Sequence, residues 1–220
     1  LNQRLPTARK AAAACKVTFL QGDAVTVEGC RFIGATLWTD YALAGDTVEP
    51  GDETGEAIRV ETAAGTAKLT IGATLAQHQV ELARLAELID QHTGPEPLVV
   101  ITHHAPHPDC VRTEDHGTFF AGNGASDLSV LLDTGRVDLW VHGHVHHNVD
   151  LSLPGGTRII CNPAGTRFGN LLFDDALVVT PRIKPTLHPM SVHLASAYAI
   201  IDPFGPFPRQ DAGAHKRVTV

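Results

Sequence analysis

The chain lacks the cysteine pairs, the long apolar runs and the excess of basic charge that mark several protein classes. Its four cysteines, Cys15, Cys30, Cys110 and Cys161, are scattered over 220 residues. None belongs to a CxxC pair, which excludes a zinc ribbon and a thioredoxin-like redox motif. Cysteines so dispersed read as reduced thiols of a cytoplasmic protein, not as a disulfide framework. No apolar run approaches the ~20 residues that cross a bilayer. No apolar segment follows the basic start at Arg4, so neither a secretory leader nor a membrane partner is expected. Basic residues are in deficit, 17 against 24 acidic, for a formal net charge of −7. That disfavours nucleic acid as a partner, because binding it needs a positive surface. Internal repeats are absent too. So is an initiating Met, and the sequence is expected to begin inside a longer protein.

What remains is ordinary globular composition, 43% hydrophobic and 19% charged, in a length that can bury one core. One number is unusual. There are 13 histidines, and those at 103, 104, 107, 116, 142, 144, 146 and 147 crowd into one stretch. Neutral imidazole is the commonest metal ligand, so the crowding asks for a chemical reason.

Periodicity supplies a frame. Residues 1–15 read as the end of a helix, 16–20 as a strand, and 24–28 and 31–37 as two further short strands joined through Gly29-Cys30. Residues 42–72 show no clear period and are expected to form a long loop. Leu75, Leu82, Leu85, Leu88 and Ile89 recur at helical spacing within 74–92, which Gly94-Pro95 ends. Residues 98–101 and 137–141 are apolar runs of buried-strand length. Ser126 is the expected N-cap of a short helix through Leu132, closed by Gly135. Pro154-Gly155-Gly156 marks a hairpin turn into 158–160, and 176–180 a final strand. Strands alternate with helices in the middle and with hairpins at both ends, which predicts an α/β domain with a mixed sheet. Residues 1–180 form that domain in this reading. Residues 181–220 hold six of the 14 prolines and are expected to be an extension.

Two motifs carry chemistry, and each ends a buried strand. The first is Val99-Val100-Ile101-Thr102-His103-His104-Ala105-Pro106. The second is Leu139-Trp140-Val141-His142-Gly143-His144-Val145-His146-His147. In open α/β sheets the ligand crevice lies beyond the carboxyl ends of the strands, so both histidine groups are delivered there. Gly143 is expected to turn the chain sharply and aim the rings at His144 and His146 inward. His142 points the other way along its strand and reads as structural, and His107 and His147 as rim residues.

The first motif resembles the strand–His–x–Pro block of the calcineurin-like metallophosphoesterases, and Gly143-His144-Val145-His146 resembles that family's closing GHxH block. Gly34-Ala35-Thr36-Leu37-Trp38-Thr39-Asp40 is similar to a segment of one bacterial branch. The stretch from Arg158 to Gly165, with Asn162-Pro163, is similar to the segment after GHxH. Together these cover residues 15–175. The resemblance implies a β-sandwich flanked by helices, with two divalent metal ions (manganese, iron or zinc). It implies hydrolysis of small-molecule phosphate esters. His103, His144 and His146 take the positions of metal ligands, His103 and His144 on one ion and His146 on its neighbour. His104 becomes the candidate catalytic residue, touching substrate or supporting a ligand. Thr36, Trp38 and Asp40 would lie near the site.

The family's Asp-x-His, Gly-Asp and Gly-Asn-His blocks have no counterpart in residues 1–100. Gly22-Asp23 sits in a turn after their expected place. About two and a half βα units, roughly 70–90 residues at ~30 per unit, are therefore expected to be lacking at the N-terminal side. Two other readings stay open: a truncated, non-catalytic metal-binding fragment, and a three-histidine mononuclear zinc hydrolase. A metallo-β-lactamase-like site is disfavoured, because His144-Val145-His146-His147-Asn148-Val149 does not continue as His-x-His-x-Asp-His. Strands apolar on both faces need cover on both. The isolated chain is therefore expected to self-associate or to require a partner segment. Sedimentation and thermal unfolding check this, and a monomer with a sharp, high-temperature transition contradicts it.

Overall fold

The computed structural model describes residues 5–55, 58–62, 65–165, 169–181 and 192–193. Its first element, α1 (Leu5–Ala14), is alanine-rich and buries no residue. The strand expected over 16–20 does not form. Lys16 adopts a left-handed conformation, φ 57°, and the Val17 N–H turns back to the Ala12 carbonyl at 2.9 Å. Helix closure, not strand pairing, takes up these backbone groups. β1 (Asp23–Val27) and β2 (Cys30–Ala35) follow as a hairpin. Glu28 and Gly29 both have positive φ at its turn, which the twist of a two-residue hairpin favours.

The expected loop over 42–72 contains structure. Ala42–Thr47 is a kinked 3-10 segment, and β3 (Arg59–Thr62) pairs with β4 (Gly65–Lys68). β4 is exposed along its whole length. Neither face of it is apolar, so no period of two marked it in the sequence. The long helix α2 (Ile71–Asp90) begins at Ile71, three residues earlier than its leucine spacing indicated. Thr70 is its cap, its hydroxyl accepting the Ala73 N–H at 3.4 Å.

The remaining elements are β5 (Leu98–Thr102), α3 (Phe119–Gly124), α4 (Ser129–Leu132), β6 (Leu139–Val141), β7 (Val149–Ser152), β8 (Arg158–Cys161), β9 (Val178–Val179) and β10 (Val192–His193). Ser126 does not cap a helix. Its hydroxyl accepts the Asp40 N–H at 3.0 Å, while Asp127 takes the Ser129 N–H at the start of α4. α3 had no legible signal, since Phe-Phe-Ala-Gly-Asn-Gly is too short and too glycine-rich to show a period.

The main sheet has six strands in the order β1-β2-β5-β6-β8-β7. β2, β5, β6 and β8 run parallel, and the two edge strands are antiparallel hairpin partners. Alternation then sorts the side chains. Ile33, Val100, Trp140 and Ile159 join Leu85, Leu88 and Ile89 of α2 in one core. Phe32, Val99, Leu139, Val141 and Ile160 point to the opposite face, where Val179 of β9 and the partly buried Leu177 and Leu20 cover them. Each such aliphatic side chain contributes about 1.5–3 kcal/mol on burial. Both faces of the parallel strands are thus covered. The resemblance implied a sandwich. Among the described residues the large sheet is single, and the other two sheets have two strands each. Of the extension expected over 181–220, only Pro181 and the β10 pair fall among the described residues. No helix among them is long and apolar enough to cross a membrane. All four cysteines are free thiols, Cys15 exposed and the others buried.

Asp138 ties the parallel strands together at their N-terminal ends. It is fully buried, and its carboxylate accepts the Leu98 N–H at 2.8 Å. Its backbone N–H meets the Leu98 carbonyl at 3.0 Å, and its own carbonyl takes the Arg158 N–H at 3.3 Å. Asp138→Ala leaves a buried donor without its acceptor and is expected to cost about 1–3 kcal/mol. Urea unfolding of the two proteins measures the difference, and an unchanged midpoint contradicts this role.

Candidate metal centre

The parallel register places the ends of β5 and β6 side by side. Ile101 faces Val141 across the ladder, and two residues later the chain delivers His103 on one side and Gly143 on the other. The Gly143 N–H donates to the His103 carbonyl at 3.0 Å. The His103 N–H in turn donates to the Thr36 carbonyl at 3.1 Å, just past the end of β2. Three adjacent strand ends are therefore stitched together where the histidines emerge.

The sharp turn is made differently from the sequence expectation. Gly143 does not adopt a positive φ; His144 and His146 do, at 64° and 55°. A β-carbon on Gly143 would meet His103 Nδ1 and the His103 carbonyl oxygen at ordinary contact distance, 3.7 Å each. The left-handed conformation costs an L-residue about 1–2 kcal/mol, and here two histidines carry that cost themselves. A short Val145 N–H to Gly143 carbonyl bond of 2.8 Å holds the turn.

The result is a triangle of imidazoles. His144 Nδ1 lies 3.1 Å from His103 Nε2. The ring centre of His104 is 4.3 Å from that of His144 and 5.0 Å from that of His103. His103, His104 and His144 each offer a ligand nitrogen, and these atoms all lie within 4.8 Å of one another. His104 is buried, and its Nδ1 has no hydrogen-bond partner. His146 is exposed, with its ring centre 6.5 Å from that of His144. His147 Nδ1 bonds the Val145 carbonyl at 2.8 Å, and His107 caps the 3-10 turn at Pro108–Cys110 by accepting the Asp109 N–H. His142 is buried beside the triangle but not part of it, its Nδ1 against the Gly143 carbonyl at 3.0 Å.

A polar network holds the far wall. Gln21 Oε1 accepts both the N–H and the hydroxyl of Thr36 at 3.0 Å, and Gln21 Nε2 donates to Glu81 Oε1 at 2.6 Å. Glu81 Oε2 accepts the Trp38 N–H at 3.3 Å, and His78 Nδ1 bonds the Trp38 carbonyl. The Trp38 ring thereby stands 5.3 Å from that of His104. Beneath it, the Trp140 indole donates to the Thr102 hydroxyl, which donates to the His104 carbonyl at 2.7 Å. Asp40 serves its own turn, accepting the Ala42 N–H at 3.1 Å. Asn123 of α3 had no signal in the sequence, yet its amide reaches His144 Nε2 at 3.2 Å.

No protein-family model matches the chain, and no curated protein matches it. Among solved structures it is similar to phosphopantetheinyl hydrolase (PptH) of Mycobacterium tuberculosis, at 13% identity and a TM-score of 0.46. That likeness covers 77% of this chain and 61% of the other. The chain therefore spans less than two thirds of the length of the structure it matches.

Burial decides the charge state of three of the clustered histidines, His104, His142 and His144. It pushes His144 down to about 3, with the neighbouring His103 adding to the effect, and His142 down to about 4. Burial and then His144 hold His104 well below the usual histidine range. These rings are neutral donors, as metal ligation requires. In the unfolded chain the same groups titrate near their ordinary 6.5, so below that pH the unfolded state binds more protons. Their stabilising contribution is complete above about pH 6.5 and is lost as pH falls toward about 3–4. Glu81 opposes this, because burial raises its carboxyl, but it is one group against three. The urea midpoint is expected to fall steadily between neutrality and about pH 4. A flat profile contradicts neutral burial.

Proposed function

We propose that the chain is a metal-dependent hydrolase of small-molecule phosphate esters, its ions seated on the histidines that end β5 and β6. The convergence of three imidazoles at adjacent strand ends, two of them held neutral by burial, carries this reading. The imidazole donors fit zinc or iron, and manganese, which prefers oxygen ligands, less well. His104 supplies a buried nitrogen with no other partner, and an ion satisfies such an orphan. When bound, the ions supply positive charge for phosphoryl oxygens and acidity for a water. His103 and His144 hold the first ion. His146, exposed at the rim, is the chain's own donor toward a second. His104 completes the first ion's ligands or meets the substrate, and Trp38 walls the space beside it. The chain acts in the cytoplasm in this reading, alone or with a segment that completes its site.

A second reading has an observation in its favour. The converging group among the described residues contains three imidazoles and no carboxylate. Three nitrogen donors and an open fourth position suit one catalytic zinc. A pair of ions needs acidic neutralisation from elsewhere.

Metal analysis, calorimetry with zinc and with manganese, and turnover of a generic phosphodiester separate these readings. Saturable binding is expected, weakened at least about 100-fold by His144→Ala, a larger loss than outer-shell substitutions give. One ion per chain favours the three-histidine site, and two favour the pair. A protein that binds neither metal contradicts both.

A further inference from the structure

We propose that Asn123, held by Tyr41, is a positioning residue that sets the tautomer of His144 and so decides which of its nitrogens is open to an ion. The inference rests on the metal reading for its purpose but not for its physics. A neutral imidazole has one N–H and one lone pair, and the partner at one nitrogen dictates the state of the other. Asn123 Nδ2 lies 3.2 Å from His144 Nε2, while Asn123 Oδ1 accepts the Tyr41 hydroxyl at 3.0 Å. With the amide in that orientation, Nε2 of His144 is an acceptor and its proton sits on Nδ1. That proton points at His103 Nε2, 3.1 Å away. The two rings close on each other through a hydrogen bond, and the space between their nitrogens is occupied by a proton.

The relay has a second self-consistent state. Turning the Asn123 amide over presents Oδ1 to His144 and Nδ2 to the Tyr41 oxygen, which can accept. His144 then carries its proton on Nε2. Its Nδ1 lone pair faces the lone pair of His103 Nε2. Two converging lone pairs repel one another with nothing between them, and they are what a cation needs. The change moves one proton from Nδ1 to Nε2 of the same ring, so net charge and proton count are unaltered. The ion-free site is closed in the first state, and the second is ready for an ion.

The surroundings are built to hold this pair of residues. Tyr41 is buried and left-handed, φ 56° and ψ 9°, an arrangement that costs a bulky residue about 1–2 kcal/mol. It begins the 3-10 segment at Ala42–Thr47. Gly122, next to Asn123, packs onto that segment so closely that a β-carbon would meet the Ala44 β-carbon at 2.5 Å. The two halves of the relay are thus locked to one another by backbone approach.

Long-range proton–nitrogen correlation on histidine-labelled, metal-free protein at mildly alkaline pH reads the tautomer directly. His144 is expected as the Nδ1–H form in the native chain. Asn123→Asp can only accept at this position, and is expected to move His144 to the Nε2–H form. Tyr41→Phe frees the amide and is expected to give a mixture. In zinc calorimetry Asn123→Asp is expected to bind more tightly and Asn123→Leu more weakly, each by about 10–100-fold, the range for groups that orient a metal ligand. If zinc binds but tautomer and affinity are unchanged in Asn123→Asp, the relay is overturned and the metal reading stands. If the tautomer moves as expected but no variant binds zinc, the relay stands and the metal reading falls. A native His144 already in the Nε2–H form overturns the relay outright, whichever variant folds.

Discussion

Everything at the candidate site depends on the parallel pairing of β5 with β6. Residues 99–101 align with 139–141 in register, so two chain segments some 40 residues apart leave the sheet at the same level and in the same direction. A shift of one residue would send the side chains of one strand to the opposite face. Trp140 would leave the helix-covered core, and His144 would lose His103. The buried Asp138 at one end and the Gly143 to His103 bond at the other pin that register. The hydrophobic sorting of alternate residues makes any other alignment costly.

The site stores unfavourable terms that the sheet sustains. His144 and His146 are left-handed, and so are Leu37 and Tyr41 on the wall opposite. His104 Nδ1 and His142 Nε2 are buried without partners, and a buried polar group without a hydrogen bond costs about 1–3 kcal/mol by mutational measure. Glu81 keeps a carboxyl out of water in order to hold Trp38. Strain, unsatisfied polar atoms and perturbed histidines are gathered at the candidate site, the kind of concentration that functional centres show. The stability to carry them comes from aliphatic burial on both faces of four parallel strands.

Much of the frame was legible in the sequence because its signals are local. The apolar run at 98–101 is a strand in the structure, and that at 137–141 is one over its last three residues, Leu139–Val141. The leucine spacing of α2 is a helix, and the turn at Pro154-Gly155-Gly156 joins β7 to β8. Illegible parts were those in which local preference is weak. β4 exposes all its residues and shows no apolar alternation. The segment 16–20 alternates like a strand but has no neighbour to pair with. Ser126 has the chemistry of an N-cap, yet its hydroxyl is spent on Asp40, 86 positions away. Gly143 was the natural candidate for a left-handed turn, but the histidines on either side of Val145 take that conformation.

What the sequence alone determined is the set of histidines at the site and their address. Histidines after two buried strands must emerge at the carboxyl ends of those strands, because chain direction along a strand is a local property, whereas the parallel pairing that sets the two ends side by side is tertiary. Which of those histidines meet was decided only by the tertiary structure. His104 joins His103 and His144 in the triangle, while His146 stands at the rim. Asn123 and Tyr41 reach the triangle from segments with no distinguishing pattern. The physical reason is that convergence depends on backbone angles at single residues and on the close approach of Gly122 to Ala44. These follow from packing between distant segments and leave no periodic trace in the chain.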